Sequence, residues 1–277
     1  MMTARAALRC ERRGPTSHRY TRLRSQGQFV LRPTHPKAFE PWAKGDPTAG
    51  RVSLSSGAAG PLGGDHLLLD VEVGPGAVLV LNEISATIAL PGTRGEQSRM
   101  IFNVTLDEGA TLIWLPEPVI AASACDHRQD INVSLAPDAR FMLREELILG
   151  RHNEAPGSIQ QHLRVLRDGK PVFDQNLRLG PRYHGWDSPA VSSTYRAVGN
   201  VLVVDPGSTI GRNRSDLVDQ RTVSLVIDPE TVQISSVAED SWELARSLDS
   251  ALDLLGGPWA YDRSTLPHGS ISSRRNL

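Results

Sequence analysis

The stretch GPLGGDHLLLDVEVGPGAVLVL, from Gly60 to Leu81, decides the fold class. Its apolar residues Leu67, Leu69 and Val71 alternate with polar ones, as they do along a strand with one buried face. A Gly-Pro-Gly turn then leads into a second aliphatic run. The glycine-rich start is not a P-loop, because it has no Lys-Ser/Thr pair and a strand rather than a helix follows it. The stretch therefore predicts two strands that follow a tight corner.

The same kind of turn occurs three times. VGPGAVL (73–79), LDEGATL (106–112) and LAPDARF (135–141) each place a small alanine before an alternating strand, at Ala77, Ala110 and Ala139. A recurrence of this kind predicts stacked β units, although ordinary turn chemistry in a meander would give a similar pattern. We therefore predict a mostly β, two-layer, β-helix-like stack of antiparallel and mixed strands.

A helix is expected only near the end of the chain, within DSWELARSLDSALDLLGGPW. Asp240 is the expected N-cap, with Glu243 three residues later as in a capping box. Leu248, Leu252 and Leu255 recur at helical spacing before a Gly-Gly-Pro stop. The fold class thus includes one or two C-terminal helices.

The 277 residues carry a net charge of -1, but the charge is unevenly distributed. Residues 1–51 hold 11 Lys or Arg and 3 Asp or Glu, which leaves 19 basic and 28 acidic residues in the rest. We predict that residues 1–50 form a basic, partly disordered extension and that 51–277 form one β-rich domain; an Arg-rich transit peptide or an acid-seeking arm is the alternative. Two cysteines and no membrane-length apolar run indicate a cytoplasmic protein.

Three polar side chains are patterned toward the apolar face of their strands: Asp65, Glu145 and Gln175. Glu146 falls on the opposite face beside Arg144, where we expect a solvated ion pair. A buried carboxylate is costly, so the three inward groups should meet water, an ion or each other, or else satisfy a bent backbone. A wet internal cavity is the prediction. Cys125 and His127 are the one weak candidate pair of metal ligands, and no spacing supports a catalytic triad.

The motifs as a set resemble the UreD (also called UreH) family of urease accessory proteins, most of all its short actinobacterial-type members. They are AAGPLGGDHLLLDVEVGPGA, EGATLIWLPEPVI, LREELILGR and GKPVFDQNLRL, between Val52 and Leu179. The positions within these motifs that carry the resemblance are the GGD corner, the W-L-P turn and the L-G-R strand end: Gly63, Gly64, Trp114, Pro116, Gly150 and Arg151.

The resemblance implies a non-enzymatic scaffold that helps deliver nickel to apo-urease. The implied partners are a helical accessory protein (UreF), a nickel-carrying GTPase (UreG) and apo-urease, with neither nucleic acid nor membrane involved. No cofactor is expected to be stably bound, and nickel would be transient cargo. The polar positions of the family's proposed internal tunnel fall on Asp65, Thr87, Glu145 and Gln175, where Gln175 replaces a more usual acid.

Two other functions remain open from the sequence. A β-rich hydrolase would use Asp65 and Glu145 as an acid/base pair a few ångström apart. A plain β interaction module would instead have a closed, dry core and exposed strand edges.

Overall fold

The computed structural model describes residues 1–15, 17–35, 48–212 and 216–260. In these residues β-strands dominate, as the alternating pattern predicts. They are β1 (Thr3–Arg12), β2 (His18–Arg24), β3 (Phe29–Thr34), β4 (Gly50–Ser56), β5 (His66–Val73), β6 (Val78–Glu83), β7 (Thr87–Ala89), β8 (Ser98–Leu106), β9 (Thr111–Leu115), β10 (Val119–Ala121), β11 (Asp126–Leu135), β12 (Arg140–Leu149), β13 (Ser158–Arg167), β14 (Lys170–Leu179), β15 (Ala197–Val204), β16 (Asp216–Asp219), β17 (Thr222–Asp228) and β18 (Thr231–Ala238).

The strands form two sheets. The seven-stranded sheet has the order β14-β13-β11-β8-β5-β1-β2, and its five central strands from β13 to β1 run parallel. The eleven-stranded sheet has the order β16-β17-β18-β15-β12-β9-β6-β4-β3, with β7 and β10 attached beside β12. The chain passes from one sheet to the other at each turn, from β5 to β6, from β8 to β9 and from β11 to β12. This is the predicted two-layer, β-helix-like stack, and the fold class is confirmed.

The three recurring turns lie directly above one another. The amide of Thr111 donates to Ala77 O and the amide of Arg140 donates to Ala110 O, both over 2.8 Å. The alanines at 77, 110 and 139 are all completely buried. A larger side chain at these positions would have to enter a corner already filled by the next turn. The repeat read from the sequence is therefore a structural repeat.

The main apolar core lies between the two sheets. In the seven-stranded sheet, equivalent positions form rows across the strands, such as Leu69, Phe102 and Ile131. The ring of Phe102 packs edge-on against Trp114 of the facing sheet, with centroids 5.1 Å apart. Rows of this kind fix the register, because a slip by one residue would turn every apolar side chain outward.

The predicted helix is present as α1 (Ser241–Leu255), with a 3-10 turn (Gly257–Trp259) after it and another at Ile210–Arg212. Asp240 caps it, since its side chain accepts a 2.8 Å hydrogen bond from the amide of Glu243. Leu244, Leu248 and Leu252 pack onto the outer face of the eleven-stranded sheet. None of the helices that the structure describes is both long enough and apolar enough to cross a membrane.

The expectation that residues 1–50 form a partly disordered extension is wrong for the part described. β1 lies inside the seven-stranded sheet between β2 and β5, with Ala6, Leu8 and Cys10 buried in the core. Burial of one such leucine contributes about 1.5–3 kcal/mol. Two of the arginines that made this segment look like a solvated arm, Arg5 and Arg9, lie on the other side of β1. Alternation over β1 was present in the sequence but was hidden by short, weakly apolar alanines. Residues 36–47 lie outside the described part.

Candidate functional site

A polar layer crosses the interior beyond the main apolar core, and Glu145 lies at its centre. Glu145 faces inward on β12, only 5% exposed, between the buried Leu143 and Leu147. Two amides of the facing sheet donate to its Oε1, that of Gln161 over 2.7 Å and that of Gln129 over 3.4 Å. The strand alternation that placed Glu145 inward is therefore confirmed.

A small cavity adjoins Glu145. Counted as the space open to the centre of a water molecule, its volume is about 10 Å³, which is room for about one water. Glu145 and Thr87 both line it, so two of the four predicted tunnel residues meet here. The other lining residues are Glu83, Met100, Phe102, Trp114, Pro116, Glu117, Val119, Gln129, Ile131, Glu146 and Gln161.

The environment of the cavity disfavours negative charge. Burial raises the pKa of Glu145 to about 8. A proton on Oε2 leaves Oε1 free to accept both glutamine hydrogens, so the neutral acid fits the observed bonds. Glu83 is half-buried at the end of β6. Burial of its carboxyl group raises its pKa to about 8, and the nearby charge of Glu117 contributes to the rise. Glu145 and Glu83 are therefore mostly protonated, and so uncharged, at neutral pH.

The polar layer continues on the other side of Glu145. Asn200 of β15 pairs in register with Glu145, and its Oδ1 accepts hydrogen bonds from Ser235 Oγ at 2.7 Å and Gln233 Nε2 at 3.2 Å. Gln233 and Asn200 are both buried. The amides satisfy one another, so this half of the layer is polar without being charged.

Asp65 is buried but plays a local part. Its Oδ1 accepts from the amide of Met2 over 2.5 Å and its Oδ2 accepts from the amide of Leu62 over 3.0 Å. The carboxylate therefore ties the start of β1 to the corner before β5. β8 lies between β5 and β11, and Asp65 is absent from the cavity lining. The structure does not bring Asp65 and Glu145 together, so it gives no support to an acid/base pair.

Gln175 is also separate from the cavity. It is half-buried on β14, the edge strand of the seven-stranded sheet, where it pairs with Leu163. It faces the interior, as the alternation predicts, but does not line the cavity. Of the four tunnel positions, two share one site and two lie elsewhere along the interior.

The two glycines of the GGD corner have steric and conformational roles. A Cβ on Gly63 would lie 2.3 Å from the amide nitrogen of Gly92, so only glycine allows the two loops to touch. Gly64 has a φ of +88°, in the region that favours glycine. The glycine cluster is thus a tight corner that directs the Asp65 carboxylate inward.

The remaining motif residues surround or stabilise the site. Trp114 is 1% exposed and lines the cavity, as does the half-buried Pro116. Gly150 has a φ of +83°, and a Cβ there would lie 2.8 Å from Glu154 O. Arg151 forms an exposed ion pair with Glu154 over 2.7 Å, which fixes the loop after β12.

Cys125 and His127 do not form a metal site. Burial raises the pKa of the Cys125 thiol to about 11 and lowers the pKa of His127 to about 4, so both are neutral. His127 Nδ1 lies 2.9 Å from Ser98 Oγ. Across the four described ranges, no group of three or more His, Cys, Asp or Glu side chains could hold a metal ion.

Glu146 differs from expectation. It is 3% exposed rather than solvated, because α1 covers this face of β12. Arg144 donates to Glu146 Oε1 over 3.0 Å and to Asp249 of α1 over 2.5 Å. Alternation placed Glu146 on the correct face of β12, but α1 rather than solvent covers that face.

Four site residues were missed, and alternation could have found three of them. Glu83 shares a strand face with Leu79 and Leu81, and Gln129 shares one with Ile131. The same holds for Gln161 beside Leu163. Glu117 lies in the connection between β9 and β10, where no periodicity applies, so only the tertiary structure places it.

Comparisons with known proteins agree with the resemblance and extend it. The family model described as "UreD urease accessory protein" matches residues 2–268. The match therefore extends beyond the motifs between Val52 and Leu179 that carry the resemblance. A Streptomyces griseus protein named "Urease accessory protein UreD 3" is 37% identical over 90% of this chain and 95% of its own length. A Parafrankia protein named "Urease accessory protein UreD" is 36% identical over 96% of this chain and 92% of its own.

A third relative matches over a shorter length. The Saccharopolyspora erythraea protein named "Urease accessory protein UreD 2" is 43% identical over 66% of this chain. That match spans 62% of the relative, which is less than two thirds of its length.

Proposed function

This chain belongs to the UreD urease accessory protein family, and we propose from that premise that it is a non-enzymatic scaffold through which nickel reaches apo-urease. In this proposal it acts in the cytoplasm, in one complex with the helical accessory protein UreF, the nickel-carrying GTPase UreG and apo-urease. Nickel is its cargo and not a resident cofactor.

One observation carries the proposal. Glu145 lies buried in the polar layer of the interior with two amides as its hydrogen-bond donors, and it lines the same cavity as Thr87 and Glu83. Carboxylate, hydroxyl and amide oxygens are acceptable ligands for a borderline divalent cation. They are few and on different strands, which suits brief contacts with a passing ion better than storage.

The size of the cavity sets a condition. Room for about one water does not admit a hydrated ion, so passage requires neighbouring side chains to move. The half-buried residues at its margin, Glu83, Thr87 and Glu117, are the ones with space to do so. We propose that they form the entrance and that Glu145 is the inner contact.

The test is maturation of urease in a urease-negative host that carries the urease and accessory genes with this chain or a variant of it. Glu145→Gln keeps the side-chain volume but removes the carboxylate, and Glu83→Gln does the same at the entrance. Glu108→Gln, on the exposed turn before Gly109, is the matched control. We expect the nickel content of urease to fall severalfold in the first two variants and to stay unchanged in the control.

Assembly must be measured in the same samples. Co-purification of the accessory proteins and urease with each variant should equal that of the wild type, because the substitutions lie inside the fold. Full nickel content in both cavity variants would refute the internal route. Loss of nickel together with loss of the complex would point to a scaffold whose interior has no part in delivery.

A further inference from the structure

We propose that an arginine cluster on the outer face of the seven-stranded sheet docks a carboxylate-rich segment of a partner protein. The cluster consists of Arg99, Arg128, Arg178 and Arg182. The proposal rests on the proposed function only in requiring that the chain works in a complex. It does not depend on how nickel moves.

The sheet register brings these arginines together. Arg99 of β8 and Arg128 of β11 are direct cross-strand partners. Arg128 pairs with Gln160 of β13, which pairs in turn with Arg178 of β14. Arg182 follows β14. Burial raises the pKa of Tyr183, and the positive charges of Arg178, Arg182 and Arg128 act to lower it. The Tyr183 ring therefore lies close to all three arginines.

The positive charge of the cluster is not balanced locally. Arg99 and Arg128 share one carboxylate, that of Asp130, at 2.8 and 2.9 Å. Arg182 pairs with Asp126 over 2.7 Å. Arg178 is exposed and forms no ion pair with an acid in the part of the chain that the structure describes. Four arginines therefore face two aspartates, in a chain whose net charge is -1.

In the described part of the chain, the face that carries the cluster is not packed against a helix. α1 packs mainly on β12, β15, β17 and β18 of the eleven-stranded sheet, and the described residues contain no second α-helix. Parallel strands are usually covered on both faces. On this face, Asp130 holds the side chains of Arg99 and Arg128 in position, and Asp126 holds that of Arg182.

The chemistry favours a protein with acidic side chains over other occupants. A second copy of this chain would bring two positive faces together, which is unfavourable. A nucleic acid or an anionic membrane presents dense, uniform negative charge, which suits a broad basic surface better than four arginines of which three are already paired with Asp130 or Asp126. Separate carboxylates can instead bind individual guanidinium groups in bidentate geometry and avoid the aspartates.

The test uses the full chain and defined probes. A labelled peptide of alternating glutamate and serine is titrated at physiological salt, with the glutamine version as the neutral probe. The double variant Arg178→Gln with Arg182→Gln is compared with the wild type and with Arg246→Glu, because both changes lower the net charge by two. Arg246 is an exposed arginine of α1, on the opposite sheet, and controls for the change in net charge. Thermal melting shows that each variant is folded.

We expect the acidic peptide to bind the wild type and the α1 control equally and the double variant about tenfold or more weakly. Binding should weaken with salt, and the neutral peptide should not bind. Equal binding to all three proteins would overturn the docking site. Tighter binding of single-stranded DNA or phosphatidylserine vesicles than of the acidic peptide would overturn the choice of partner.

A second measurement separates this proposal from the proposed function. The double variant and the control are used as bait for co-expressed urease and its accessory proteins. Loss of one partner from the double variant alone supports the docking site, and full capture overturns it. If the wild-type chain binds the acidic peptide through Arg178 and Arg182 yet leaves urease nickel unchanged, the docking site stands and the nickel-delivery role fails.

Discussion

Glu145 and Glu146 are adjacent on β12 and equally inaccessible, 5% and 3% exposed, yet their surroundings are opposite. Glu145 points between the sheets, where its hydrogen-bond donors are the neutral amides of Gln129 and Gln161. Glu146 points under α1, where Arg144 supplies a full positive charge. One residue step along the strand thus changes the partners of a buried acidic side chain from neutral amides to an arginine.

The difference separates a structural region from a candidate functional one. A buried carboxylate with a cation partner and a helix above it holds two elements together. A buried carboxylate with amides alone contributes little to folding at neutral pH, since its charged form is disfavoured and its pKa is about 8. A group that costs stability where it lies is a candidate for function.

The largest effect is expected from removing the arginine that pairs with Glu146. Arg144→Met leaves Glu146, whose side chain is 2% exposed, without its ion-pair partner Arg144. Breaking a buried pair in this way costs about 3–5 kcal/mol of unfolding free energy. Urea unfolding should show it, with Arg164→Met as the control, because Arg164 and Asp174 are both 52% exposed. Similar losses in the two variants would mean that the region under α1 is solvated.

A smaller effect of opposite sign is expected at Glu145. Its folded pKa of about 8 lies above the unfolded value of 4.5, so the folded state binds more protons between these pH values. The stability of the wild type should therefore fall as the pH rises through this window. Glu145→Gln removes that loss, and its advantage should grow by about 2–4 kcal/mol from pH 4.5 to pH 8.

The comparison of the two unfolding curves isolates this residue, since Glu83 and the other acids are common to both proteins. Glu146→Gln should show no such gain at high pH, because it removes the buried ion pair with Arg144. A constant difference between Glu145→Gln and wild type across the pH range would show that Glu145 is ionised throughout.

The smallest effect is expected for an ion pair outside both regions. Arg151 and Glu154 form an exposed ion pair in the loop after β12. Solvent screens such pairs, so Arg151→Ala should leave the urea midpoint unchanged within error. A clear loss of stability would indicate that the L-G-R loop does more than close β12 locally.

Much of this protein could be predicted from its sequence. Alternation over Leu67 to Val73 gave the strands, the alanines at 77, 110 and 139 gave the stacked repeat, and Asp240 with Glu243 gave the start of α1. The same alternation placed Glu145 inward. These features are local, because side-chain periodicity and capping depend on residues close together in the chain.

Other features depended on what lies across from each strand face. Alternation gives two faces but does not say what covers either of them, so Glu146 was expected in water and lies under α1. The basic residues near the N-terminus suggested a loose arm, yet pairing with β5 makes β1 a central strand. The meeting of Glu145 with Gln129 and Gln161, and the separate role of Asp65, come from contacts between residues 16 or 63 positions apart. Long-range pairing brings such groups together, and that is what only the tertiary structure decided.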